Sequence, residues 1–254
     1  RSGQRPALDV QLAESSLSSW WLVAAACGLD RLIGDPRWCL HPVQVMGAVI
    51  GKLRFWVEAL AGDHRWALRL GGSLITAVLV CGSATAGWAM EQLSLRSPWG
   101  VPLLVVGLAS ALAGRSLRLA VEDVLNPLSS APPELEQARR KLGWIVGRDV
   151  DGLPAPELMR ALAETASENA VDGLFAPLFW MLIGAGLWSL NPTLPGPLAL
   201  AWAFKASSTL DSMLGYRRGR LQWLGTAGAR LDDLLTWLPC RLLALSLGQL
   251  GPGL

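Results

Sequence analysis

Between residues 173 and 204 the chain carries no charged side chain. Residues 71–90, 97–114 and 15–29 read the same way, each closed by a charge. A helix needs about 20 mainly apolar residues to cross the hydrocarbon core of a bilayer. The longest run therefore has room for one crossing and a return. Charged residues make up 17% of the 254, against roughly 25% in soluble domains. These runs point to an all-α, polytopic membrane helical bundle with about 4–6 membrane helices and helical loops outside the bilayer. A soluble bundle of wholly buried apolar helices is the competing reading. The net charge of +2 is too small to suggest nucleic acid as a partner.

The runs place spans near 17–33, 70–90, 98–114 and 173–190. "NPTLPGP" at 191–197 reads as a turn because of its three prolines and one glycine. The chain then returns through 198–216, and a last apolar helix follows Asp233. The whole reads as a single integral-membrane domain, 1–254. Its polar regions, 31–69, 115–172 and 205–233, fall on one side and hold 18 of the 22 Lys and Arg residues. The positive-inside rule puts them in the cytoplasm, which makes the chain a multi-pass protein of the inner or plasma membrane. Within 115–172, a short charged helix is expected from about Glu134, followed by a turn at Gly147. Pro156 suits the first turn of a further helix, expected from 157 to 171 and ending at Gly173. The first apolar run has Asp9 and Glu14 on its N-terminal flank, unlike a cleavable signal peptide. Cys27, Cys39, Cys81 and Cys240 lack C-x-x-C spacing, which argues against a structural disulfide or zinc site.

Four clusters could carry chemistry. "ETASENAVDG" at 164–173 sets Glu164, Glu168 and Asp172 four residues apart, on one helix stripe. Arg160 stands one step earlier and can pair with Glu164. Three like charges on a stripe help a helix little, and a carboxylate at a membrane edge is costly unless it faces a cavity or a cation. Oxygen-rich groups of this kind suit Mg²⁺ completed by substrate phosphates, and Asn169 adds an amide. "KASSTLDSMLGY" at 205–216 offers Lys205, Ser208 and Asp211. Lys205 either snorkels to the interface or holds a phosphate or carboxylate. "GTAGARLDDLLTWLPCR" at 225–241 has Gly225, Gly228 and Ala229, which permit close helix contact. It also has Arg230, Asp232 and Asp233, with an Arg230–Asp233 pair as plausible as a metal or base role. "LDRLIGDPRWCLHPVQVMG" at 29–47 contains Asp30, Asp35 and His41. A lone loop histidine is more often a hydrogen-bonding residue than a ligand, and His64 reads as surface. Arg148 and Asp149 in "GWIVGRDVDG" suggest a weak anion-binding loop. The chain has no P-loop, no dinucleotide glycine fingerprint, no nucleophile elbow and no H-E-x-x-H.

The blocks "GDPRWCLHPVQVMG", "VGRDVDG", "ETASENAVDGLFAPLFW", "STLDSMLGYR" and "ARLDDLLTWLPCRL" together resemble the CobD/CbiB family, the adenosylcobinamide-phosphate synthases of cobalamin biosynthesis. The resemblance covers residues 29–245. It implies an ATP-dependent amide ligase joining aminopropanol, or its phosphate, to the propionate carboxylate of the corrinoid adenosylcobyric acid. Such a reaction needs ATP and Mg²⁺, with an acyl phosphate as the expected activated carboxylate. It also needs a base for the attacking amine. Under it, Glu164, Glu168 and Asp172 bind Mg²⁺ or amine. Lys205 and Arg148 hold phosphates. Asn169, Ser208, Arg230 and His41 contact substrate. Asp211, Asp232 and Asp233 are second-choice bases or metal ligands. The expected partners are these substrates, the lipid bilayer, and a further copy or other cobalamin-pathway membrane enzymes. Ser208 stands where the family usually has Asn, and the family usually continues past position 254 with a Ser-Pro-Asn block. The alternatives are a non-catalytic AmpE-like membrane regulator and a corrinoid- or ion-handling membrane protein.

Overall fold

The computed structural model describes residues 5–34, 41–130, 132–147 and 149–249, with side chains described from 19 to 246 within those limits. Every element among them is helical: α1 (Arg5–Leu32), α2 (Pro42–Ala61), α3 (Arg65–Arg96), α4 (Gly100–Ala109), α5 (Gly114–Ser129), α6 (Leu135–Gly143), α7 (Ala155–Ala170), α8 (Ala176–Leu190), α9 (Pro197–Leu214), α10 (Leu221–Leu224) and α11 (Thr226–Gln249). Among the described residues, Arg65–Arg96, Gly100–Ser129 and Ala155–Leu190 are long and apolar enough to cross a membrane. The expected all-helical fold with apolar spans is therefore present, although α1 is not one of the three.

Helix α9 is the hub, packed against α3, α8, α11 and α2. Its buried positions run from Pro197 and Leu198 at one end to Leu210 and Leu214 at the other. One apolar core joins it to α1, α4 and α8 through Ala26, Leu108, Met181 and Leu198. A second joins it to α2, α3 and α10 through Ile50, Leu68, Ile75 and Leu210. A third lies apart and holds α5, α6 and α7 together through Val124, Leu142 and Leu158.

Helix α3 shows how the pattern works. Its 32 residues rise about 48 Å at 1.5 Å each, well beyond a hydrocarbon core of ~30 Å. Gly72, Ile75, Thr76 and Leu79 face inward. Leu70, Leu74 and Val78 are exposed at four-residue spacing, an outer stripe suited to lipid.

The turn at 191–197 forms as its composition implies. Asn191 Oδ1 accepts from Thr193 N at 3.0 Å, an Asx turn. Trp88 Nε1 and Gln92 Nε2 donate to the carbonyls of Thr193 and Pro192 at 2.9 and 2.8 Å. This fixes the α3–α4 connection and the 191–197 turn at one end of the bundle. Glu91, fully buried, seals that end. Its carboxylate accepts from Gly196 N at 2.8 Å, Leu198 N at 2.7 Å and Ala199 N at 3.0 Å. A carboxylate on the unpaired N–H groups of a helix start satisfies both the donors and the helix dipole.

The other end gathers the polar regions. Asp63 takes Arg220 at 2.7 Å, Arg115 donates to the carbonyls of Arg31 and Leu32, and Lys205 reaches Asp172 O.

Two sequence expectations need correction. The span expected at 98–114 falls within the candidate stretch Gly100–Ser129 but is not one regular helix: α4 stops at Ala109, and tight turns at Ala111 and Leu112 lead into α5. The helix expected to end at Gly173 does not end there. It widens into a π-helical turn, Val171–Phe175, and continues as α8. Ala176 N bonds Val171 O across that turn. Apolar packing of α8 beyond the glycine holds the chain helical, so Gly173 acts inside the helix instead of capping it.

Candidate active site

The two irregularities meet. Ala113 N, in the break between α4 and α5, donates to Gly173 O at 2.8 Å. A Cβ on Gly173 would lie 3.3 Å from Ala113 Cβ, so the backbones are close. Non-helical backbone at membrane depth is tolerated where it lines a cavity, and π turns recur at functional sites. A cleft of about 360 Å³ opens at this point. Asn169, Asp172, Lys205 and Ser208 line it, together with Thr165 and Ser212.

The face presented to this cleft is 165, 169, 172 and not the 164, 168, 172 stripe of a regular helix. Glu164 turns away, pairs with Arg160 at 3.0 Å and lines a separate cleft with Asp149 and Glu157. Glu168 is exposed on the flank of the site, close enough for its charge to bear on Asp211. From α9, residues 205, 208 and 212 share one face at helical spacing. Lys205 Nζ reaches the Asp172 carbonyl at 3.5 Å, held by an oxygen of the π turn. Asn169 spends one amide hydrogen on Thr165 O at 2.9 Å.

The second layer of acids comes from the ends of α9 and α11. Burial, then the charges of Asp233 and Glu168, push the Asp211 carboxyl above its ordinary range. Asp232 is pushed up to about 7, first by burial, then by Asp172, Asp211 and Asp233, with Lys205 opposing. Its Oδ1 is buried without a hydrogen-bond partner among the described residues. These groups meet because glycines allow it. A Cβ on Gly225 would sit 1.9 Å from Leu214 O, and one on Gly228 3.0 Å from Leu210 Cβ. The close contact expected of "GTAG" is thus realised between α11 and α9. Asp233 and Arg230 line another cleft.

Other candidates serve the frame. Asp30 is buried and accepts from Gly114 N at 3.1 Å, on the first turn of α5. His41 is the N-cap of α2, its Nδ1 accepting from Val43 N at 3.3 Å. His64 caps α3 in the same way through Ala67 N. Cys27, Cys81 and Cys240 are free thiols. Asp35, Cys39 and Arg148 lie outside the described residues. Among the described residues no three His, Cys, Asp or Glu side chains form a ready-made metal site. Sequence reading passed over Thr165, Ser116 and Ser212 in the cleft. Ser212 had a signal, since 205, 208 and 212 fall on one helical face; Ser116 had none.

Residues 23–250 match the family model described as CobD/Cbib protein. The chain is 41% identical over 224 residues to the cobalamin biosynthesis protein CobD of Synechocystis sp., covering 87% of this chain and 63% of that protein. It is 40% identical over 233 residues to the CobD of Pelobacter propionicus, covering 91% and 67%. It is 38% identical over 230 residues to the cobalamin biosynthesis protein CbiB of Salmonella typhimurium, covering 90% and 67%. The chain thus spans a little under two thirds of the length of the Synechocystis relative. No solved structure matches. With the matched stretch running through the π turn, the Lys205 face and the paired aspartates, the chain belongs to the CobD/CbiB family.

Proposed function

We propose that the protein is an ATP-dependent amide ligase of cobalamin biosynthesis, joining aminopropanol or its phosphate to a propionate carboxylate of adenosylcobyric acid. The observation that carries this reading is a cleft at the π turn that Lys205 and Asp172 line together, with Lys205 Nζ on the Asp172 backbone carbonyl, in a chain of this family. A carboxylate does not react with an amine until its oxygen is made a leaving group, and ATP supplies that activation. An alkylammonium must also shed a proton before it attacks.

Lys205 orients the propionate carboxylate as a point charge. Asp172, beside it, receives the ammonium and then its proton. Ser208 and Asn169 give hydrogen bonds that fix the angle of approach. Mg²⁺ fits the residues present: it takes one or two carboxylates and completes its shell with water and phosphates. The buried, unpartnered Asp232 Oδ1 with the neighbouring Asp172 would meet that need, and the ion would neutralise phosphate charge. The polar end of the bundle faces the cytoplasm in this reading, where ATP is available. The corrinoid, bulky and partly apolar, docks at the mouth of the bundle at the bilayer surface.

The test is product formation by the purified protein. With adenosylcobyric acid, aminopropanol phosphate, ATP and Mg²⁺, mass spectrometry should find the amide, and omission of ATP should abolish it. A folded protein that binds the corrinoid but forms no amide would sink the ligase reading and favour a binding or regulatory role.

A further inference from the structure

We infer that a second cleft, formed by Arg69, Arg217 and Arg230, is the phosphate-binding site of this protein; the inference rests on the ligase reading and deepens it. The cleft measures about 320 Å³ and lies where α3, the 215–220 loop and the first turns of α11 meet. Three guanidinium groups face one carboxylate there, that of Asp233, with Tyr216 and Thr226 on the walls.

Its arginines are held for a ligand. Arg69 is stacked between Trp66 and Trp223, its Cζ 5.1 and 4.6 Å from the ring centroids. Its Nε is buried and makes no hydrogen bond among the described residues. A buried donor without an acceptor is costly, and an anion relieves that cost. The neighbouring arginines are already engaged: Arg220 pairs with Asp63 at 2.7 Å, and Arg218 stacks on Tyr216. Among the described residues Arg217 and Arg230 have no ion-pair partner and line the cleft.

The two clefts divide the charge. In the first, one lysine stands among Asp172, Asp211 and Asp232, a setting that attracts an amine or a divalent cation and repels a phosphate that no metal ion accompanies. In the second, guanidinium forks match phosphate oxygens bidentately. Asp232 and Asp233 are adjacent on α11, the one buried among the acids of the first cleft and the other lining the second. A phosphate-bearing molecule held by the arginines therefore lies across α11 from those acids. The phosphate has two soluble sources under the ligase reading, a nucleotide or a phosphorylated amino alcohol. A lipid headgroup is the rival.

Calorimetric titration of the full chain in detergent tests this. The probes are pyrophosphate, a non-hydrolysable ATP analogue with Mg²⁺, and aminopropanol phosphate. Arg217→Gln combined with Arg230→Gln should weaken pyrophosphate binding roughly tenfold or more, and binding to the wild-type chain should weaken with salt. The double Lys variant should recover part of the affinity, and Lys205→Gln should leave it within about twofold. Competition with pyrophosphate then identifies which soluble probe occupies the cleft. Failure of every soluble probe to bind, affinity unaltered in the double Gln variant, or arginine-dependent binding seen only with phosphatidylglycerol nanodiscs overturns the inference. The ligase reading falls separately. A chain that binds pyrophosphate through these arginines but makes no amide keeps this site. A chain whose double Gln variant makes amide with unaltered KM for both phosphorylated substrates loses this site alone.

Discussion

Asp232 gives the sharpest prediction at the scale of a residue. In the unfolded chain its carboxyl loses its proton near 3.8, whereas in the folded protein it keeps the proton up to about 7. Folding therefore takes up a proton between those values, and stability falls as pH rises through them. Asp232→Asn removes the dependence. In metal-free buffer with EDTA, its melting temperature should exceed that of wild type by a margin that grows from about pH 4 and levels off above about pH 7. A margin that does not vary with pH would contradict the burial of that carboxyl.

Glu91 gives the second. Glu91→Ala strands three backbone donors at the start of α9, a loss of about 3 kcal/mol or more. Thermal unfolding in detergent should show a lower midpoint, with Glu91→Gln between the two. In the sequence Glu91 merely closes an apolar run; its partners lie across 105 to 108 residues, and no local pattern encodes them. Asp172 and Lys205, by contrast, were legible because a charge beside an uncharged run must find a partner.

At the scale of the element, helix spacing carried the reading as far as regular geometry holds. With the prolines and glycine of 191–197 marking a turn, it placed α6 and the return of the chain through α9. It failed at Val171–Phe175, because the preference for one wide turn over a regular one comes from packing beneath it. The stripe 164, 168, 172 was thus split, with Glu164 going to Arg160 and Asp172 to the cleft. Helix contacts give a paired prediction. A Cβ on Gly72 would land 1.8 Å from Leu224 O, while one on Gly82 meets nothing within 4 Å. Gly72→Ala should cost about 1–3 kcal/mol by forcing α10 off α3. Gly82→Ala should be neutral or stabilise by up to about 1 kcal/mol through helix propensity. Equal melting temperatures for the two variants would contradict the packing of α10.

At the scale of the whole molecule, the three helical stretches able to cross a membrane among the described residues carry a polar end where Asp172, Lys205, Asp211 and Asp232 converge. That end was legible as a set of charged regions sharing a side. Its division into an acidic and a basic cleft was not, because Arg69 and Arg217 come from regions that the sequence does not join. In the proposed reaction the amide bond forms at the π turn, with Asp172 taking the proton. The direct measurement is single-turnover amide formation by wild type and Asp172→Asn, followed by mass spectrometry, with corrinoid binding measured alongside. The variant should bind corrinoid like wild type and form amide roughly 100-fold more slowly or worse. A variant rate within about twofold of wild type, with the same corrinoid affinity, would contradict the assignment of the chemistry to this cleft.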